Sequence, residues 1–263
     1  MNDLFDIACN FTHESFDDDL KQVIDDGMNI GVNKFLVVAA ELDDAHKIDK
    51  LITNHKDLLY FTTGVHPHHA KGFNDQSTER MRNLIKKYSP NALGEMGLDF
   101  FRNLSSHEEQ KFAFEEQIKL AIEFNKPLFL HQRDSHEPFI KLLNNYKTDI
   151  DKAVVHCFTG TQLELDEYLK CDFYIGLTGW ICDERRNKDL RSSIKNIPLN
   201  RLMLETDSPF LIPRNLNPKP KSNRNEPKNL MHIATEIAQL RNESVEEICN
   251  ATYRNSLDFF SQA

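Results

Sequence analysis

No stretch of this chain comes near the roughly 18 consecutive apolar residues of a membrane-spanning helix, so no membrane partner is expected. The opening stretch from Met1 to Asp6 has no basic segment leading into a long apolar one, so no secretory leader is expected. Cysteine occurs five times, at Cys9, Cys157, Cys171, Cys182 and Cys249, and no two form a C-x-x-C pair. That excludes a zinc ribbon and a thiol redox motif, and the odd count disfavours a closed disulfide framework. The reading is a reduced, cytoplasmic protein. Positive charge is in deficit, with a formal net charge of −9. A generally basic surface is thereby excluded, and a polyanionic partner would need a local basic rim or a bound metal. Glycine is missing where a phosphate loop would need it: the turn after the first apolar segment reads Thr12-His13-Glu14-Ser15.

What is present is an alternation of two patterns. Strand-like segments fall at 4–11, 34–40, 59–66, 91–98, 127–133, 153–158, 172–178 and 201–207. Amphipathic, helix-like segments follow them at 16–27, 43–55, 77–88, 107–124, 137–146, 162–170, 187–196 and 226–240. A last segment, 244–260, reads as a terminal helix, with Ser244 and Glu247 spaced as a capping box. Eight βα repeats in 263 residues predict an α/β fold, a closed (β/α)8 TIM barrel, as one domain over 1–263. A doubly wound open sheet is the runner-up and lacks its Gly-rich loop.

Four ligand-type residues sit at or just beyond short apolar runs at the strand ends: Glu95, His131, His156 and Asp207. One histidine at a strand end is ordinarily a satisfied polar residue. Four matching strand ends are what a metal-dependent barrel hydrolase needs, because such barrels build their sites at the C-terminal ends of several strands. Two imidazoles and two carboxylates suit Zn²⁺ or Mn²⁺, and Mg²⁺ where water completes the shell. A bound divalent ion would activate a water, and Asp207 is the candidate to take its proton while touching the metal. His66, ending the third strand, is a candidate phosphate contact or proton relay; His68 and His69 are expected to be solvated. Arg133 is a candidate anion contact or a partner for Asp134 or Glu137. Trp180, the only tryptophan, would stack on a base or pack under a loop. The segment 214–228 holds Arg214, Lys219, Lys221, Arg224 and Lys228 against Glu226 alone, and its prolines predict an extended loop at the active face. With Arg185, Arg186 and Lys188, it could guide a phosphate backbone.

Six blocks, in order, carry a family resemblance: Gly64-Val65-His66-Pro67-His68, Gly94-Glu95-Met96-Gly97-Leu98-Asp99, His131-Gln132-Arg133-Asp134, His156-Cys157-Phe158-Thr159-Gly160, Glu205-Thr206-Asp207-Ser208-Pro209 and Arg224-Asn225-Glu226-Pro227. The set resembles the TatD family of metal-dependent deoxyribonucleases over nearly the whole chain. The resemblance implies a barrel of the amidohydrolase type. It also implies a magnesium-dependent 3′–5′ exonuclease acting on single-stranded DNA and also on RNA, with a role in repair of oxidative DNA damage. It places the bridging glutamate at Glu95, histidine ligands at His131 and His156, and the strand-eight aspartate at Asp207. His66, Arg133 and Arg224 would hold substrate phosphate.

One departure stands out. Most of the superfamily carries His-x-His at the end of strand one, and here those positions are Ala8 and Asn10. One ion held by Glu95, His131 and His156 is therefore expected, with any second ion near Asp207 weak. The loss of two imidazoles tilts the expectation towards Mg²⁺. A monomer is expected. The competing readings are an amide or ester hydrolase on the same barrel, and a nucleic-acid-binding protein with degenerate metal chemistry.

Overall fold

The computed structural model describes residues 3–261. Met1 and Asn2, part of the stretch read for a leader, lie outside them. Eight parallel strands run in sequence order around one sheet: β1 (Leu4–Cys9), β2 (Val32–Val37), β3 (Leu59–Thr63), β4 (Ala92–Asp99), β5 (Leu128–Arg133), β6 (Ala153–Val155), β7 (Tyr174–Leu177) and β8 (Leu202–Leu204). The bridge between Cys9 and Ser208 joins the last edge to the first. Asn10 N–H donates to the Ser208 carbonyl at 2.8 Å, and buried Asp6 accepts from Thr206 N–H at 2.8 Å and from its hydroxyl at 2.5 Å. The sheet is thus a nearly closed (β/α)8 barrel.

The helices are α1 (Leu20–Asn29), α2 (Asp44–Asn54), α3 (Asp75–Tyr88), α4 (His107–Glu123), α5 (His136–Asn144), α6 (Gln162–Lys170), α7 (Lys188–Ser193), α8 (Leu230–Arg241) and α9 (Val245–Phe260). Several boundaries differ from the sequence pattern for local reasons. α1 starts at Leu20 because residues Glu14–Phe16 form a separate 3₁₀ turn, which buries Phe16 against Phe11. α8 starts at Leu230 because Pro227 opens a 3₁₀ turn over Pro227–Asn229 after an extended Glu226. The strands β6 and β8 keep only three residues each, so His156 and Asp207 lie just past the ladder. The predicted capping box exists: the Ser244 hydroxyl accepts Glu247 N–H at 3.1 Å, and Glu247 accepts Ser244 N–H at 2.9 Å. No helix of the described residues is long and apolar enough to cross a membrane.

Alternation along the strands sends Phe5, Leu36, Phe129, Val154 and Met203 into one buried inner cluster. Phe259 and Phe260 from the end of α9 join it, with Phe260 packed 5.5 Å from Phe5. Asn91, just before β4, donates to the Phe260 carbonyl at 3.1 Å. α9 therefore plugs the N-terminal mouth, and the C-terminal mouth is left for chemistry.

Candidate metal centre

The centre is built around one carboxylate oxygen. Glu95 sits in β4 between two glycines in the left-handed half of backbone space, Gly94 and Gly97, both at φ 147°. A Cβ on Gly94 would lie 2.2 Å from the Phe129 carbonyl oxygen, and one on Gly97 would lie 1.9 Å from that of His131. The register of β4 on β5 shifts between Leu93 and Met96, so Glu95 lies on a bulge. The two glycines let β4 press against β5, and Gly97 pairs with His131. This local geometry delivers Glu95 and His131 to the same place.

Glu95 Oε1 lies 2.7 Å from His131 Nδ1, 2.7 Å from His156 Nε2 and 3.3 Å from His66 Nε2. The ligand atoms of His66, Glu95 and His131 all lie within 4.8 Å of one another, close enough to share an ion. Burial opposes ionisation of Glu95, but the charges of His156 and His66 and hydrogen bonds from His131 and His156 outweigh it, holding the carboxyl well below its ordinary range. Burial likewise opposes charge on His156, and Glu95 and Glu205 overcome it, raising the imidazole well above its ordinary value. His131 is raised too, against its burial, by Asp99 and Glu95.

The donor set fits a divalent cation. His131 Nε2 is buried with no hydrogen-bond partner; Asp99 Oδ2 lies 3.5 Å away without hydrogen-bond geometry. Nδ1, turned to Glu95, is the nitrogen that an ion beside Glu95 would take, while Nε2 points the other way, towards Asp99. His156 Nδ1 faces Glu205 Oε2 at 3.4 Å, and Glu205 also accepts the Cys157 N–H. A carboxylate behind an imidazole fixes its ring and tautomer, as behind metal-bound histidines. His66 differs. Its Nδ1 accepts the His68 N–H at 3.0 Å, so its proton is on Nε2, and burial depresses its pKa to about 4. A neutral imidazole fixed as an N–H donor suits a phosphate oxygen better than a cation.

Asp207 is not among the direct contacts of Glu95. It takes a left-handed backbone, φ 54°, which aspartate tolerates better than most residues. Asn10 Nδ2 donates to its Oδ1 at 3.1 Å. Enclosure raises its carboxyl to about 7, with Glu95 and Glu205 adding to the shift and His156 opposing it. Ala8 is buried in the inner cluster, and Asn10 donates its amide nitrogen to Asp207 and the Ser208 carbonyl. Ala8 offers no ligand atom, and Asn10 keeps only its neutral amide oxygen to offer.

Other residues fall differently from their sequence reading. His68 is not solvated: its Nε2 lies 2.7 Å from Asp99 Oδ2, an anion held by the Phe101 and Arg102 N–H groups. His69 does stay half exposed, with Glu41 at 3.9 Å. Arg133 pairs with neither Asp134 nor Glu137; its guanidinium lies over the Phe101 ring, 4.0 Å from the centroid. Arg224 is drawn into an internal network, its guanidinium bound by Asp19, Glu226 and the Ser15 carbonyl and stacked over Phe16. One face of Trp180 is covered by Arg186, which Asp183 holds. Glu205 and Asp99 were the residues whose roles the sequence alone did not reveal, although both belong to the quoted blocks.

The family model described as TatD related DNase matches residues 5–261. The chain is 44% identical over 257 residues to a protein of Yersinia pseudotuberculosis named 3′-5′ ssDNA/RNA exonuclease TatD, covering 98% of this chain and 99% of that one. A protein of the same name from Pantoea ananatis is 42% identical over 98% of this chain and 99% of its own. Among solved structures, a hydrolase TatD family protein from Entamoeba histolytica superposes with TM-score 0.90 at 26% identity, covering 98% of both chains. A phosphotriesterase homology protein from Escherichia coli shares the fold, with TM-score 0.67 at 15% identity over 99% of this chain and 98% of that one.

Proposed function

The chain belongs to the TatD-related DNase family, and on that footing we propose that it is a metal-dependent 3′–5′ exonuclease of single-stranded DNA and RNA, with Glu95, His131 and His156 as its metal ligands. The observation that carries the site is the convergence of His131 and His156 on one Glu95 oxygen. A divalent ion held there would polarise a phosphoryl oxygen and lower the pKa of a bound water. We propose Mg²⁺ from the family resemblance; the imidazoles also accept Mn²⁺ or Zn²⁺.

The chain's own groups supply the rest. His66 Nε2–H, fixed as a donor by the His68 amide, would bind a non-bridging phosphate oxygen. Arg133, partly buried at the β5 exit beside Phe101, would bind a second. Asp207, with its carboxyl poised near 7 in the metal-free protein, would take the proton of the attacking water. Asn10 orients that carboxylate through Oδ1, leaving Oδ2 for the water. Glu205 holds the His156 ring in place from behind. Arg224 would act on phosphate binding at one remove, by tying the basic loop to the segment before α1. We further propose a cytoplasmic role at DNA ends left by oxidative damage. The cysteine pattern, an odd number with no C-x-x-C pair, supports a reducing compartment.

The test is a metal-stripped protein given end-labelled single-stranded and duplex substrates, with each ion restored in turn. Mg²⁺ or Mn²⁺ should restore stepwise shortening from the 3′ end of the single strand. Glu95→Ala and His156→Ala should each lose more than about 100-fold, beyond the usual cost of disturbing a residue behind a ligand. Digestion by either variant at the parent's rate would sink the assignment.

A further inference from the structure

Two exposed aromatic rings flank the centre on opposite sides of the mouth. Phe101, Phe112 and Phe210 are exposed to 55%, 40% and 49%. Phe112 lies on the outer face of α4, where it packs against Phe73. The other two lie at strand exits. Phe101 is two residues past Asp99, and its ring lies 4.0 Å from the guanidinium of Arg133, itself two residues past His131. Phe210 is three residues past Asp207, whose carbonyl accepts the Phe210 N–H at 2.8 Å. Its ring meets the His13 imidazole edge-on at 5.6 Å, and His13 is held by the Ser15 N–H at 3.1 Å. The β4–β5 exits and the β8–β1 exits are half a turn apart in an eight-stranded barrel.

We propose that Phe101 with Arg133, and Phe210 with His13, are two base-stacking platforms that grip the nucleotides on either side of the scissile phosphate. This rests on the nuclease reading above. A large ring left in water beside a polyanion-cleaving centre has a ready use, because every base offers a face to stack on and the stack tolerates any sequence. Each ring is braced on one side by a polar or cationic partner and keeps its outer surface free. The platforms also account for strand preference. In a duplex the bases are stacked on one another, and splaying two of them onto opposite walls costs unpairing and unstacking energy. A single strand escapes the unpairing cost. Trp180 is left out, because it is partly buried and packed against the core.

The test uses the metal-loaded full chain and end-labelled single strands in which a tetrahydrofuran abasic residue replaces the terminal or the penultimate nucleotide. In the parent, each replacement should raise KM about tenfold or more, with kcat little changed. Phe101→Ala and Phe210→Ala should show the same rise on the intact strand and no further rise when the matching base is removed. Phe101→Tyr and Phe210→Tyr should restore the parent KM, which a folding defect would not predict. Abasic penalties that persist undiminished in both Ala variants would overturn the platforms while the nuclease reading stands. If the parent cleaves neither the strands nor methyl 4-nitrophenyl phosphate, the nuclease reading falls and the platforms fall with it.

Discussion

Metal binding at Glu95 should release at least one proton. In the metal-free protein near neutral pH, Glu95 is ionised, because its carboxyl lies well below the ordinary range. His156 is an imidazolium: its Nε2 faces Glu95 and its Nδ1 faces Glu205, and both carboxylates raise it. His131 is raised as well, while His66 sits at about 4 and is already neutral. A ligating imidazole must give up a lone pair, so an entering ion displaces the His156 proton and, where His131 is charged, a second one. Each proton released makes affinity rise tenfold per pH unit, about 1.4 kcal/mol. From pH 6 to pH 8 the Kd for Mn²⁺ should therefore fall, by up to about 100-fold for one proton and up to about 10⁴-fold for two. Calorimetric titration in paired buffers of different ionisation enthalpy counts the protons directly. Glu205→Gln should lower the count, since it removes one of the two carboxylates that keep His156 charged. A Kd flat across this range, with heats independent of buffer, would refute the charge assignment.

The remaining predictions concern the supports of the site. Gly97→Ala should cost more than about 2 kcal/mol, from positive-φ strain together with its clash on the His131 carbonyl. Gly72→Ala, at φ 78° but with open space around it, should cost only the strain, about 1–2 kcal/mol; urea midpoints compare the two. Asp6 is raised to about 7 by burial, from an ordinary 3.8. The folded protein keeps a proton that the unfolded chain releases, so stability is lost as pH rises from about 4 to 7, at up to about 1.4 kcal/mol per unit. Asp6→Asn should remove that part of the slope in urea unfolding measured across the window. Arg224→Ala should free the basic loop from Asp19 and Glu226. Limited proteolysis should then cut within 214–224 faster, while Mn²⁺ affinity stays at the parent value.

The barrel was legible because eight strand-like runs alternate with amphipathic segments, and all eight strands formed in that order. The meeting of Glu95, His131 and His156 at one mouth was legible because each stands at or just past a strand's apolar run, where a barrel points side chains to the mouth. What sequence could not show depended on how the connecting backbone travels. His68 looked solvated until the 3₁₀ turn over Pro67–His69 brought it to Asp99. Glu205 stood in a quoted block with no role attached, and its contact with His156 Nδ1 needs the short β6 and β8 to end where they do. Arg224 read as a free cation in a basic run. Only the fold brings Asp19, about 200 residues earlier, against its guanidinium. The glycines at 94 and 97 were visible, but the bulge they permit is a property of two paired strands rather than one.

The central claim is that one divalent ion is bound by Glu95, His131 and His156. Anomalous diffraction at the manganese edge, from crystals grown with Mn²⁺, tests it most directly. A single strong peak within coordination distance of all three side chains is the predicted result. A strong peak at Asp207 or elsewhere, with none at Glu95 in protein that cleaves single strands, would contradict it.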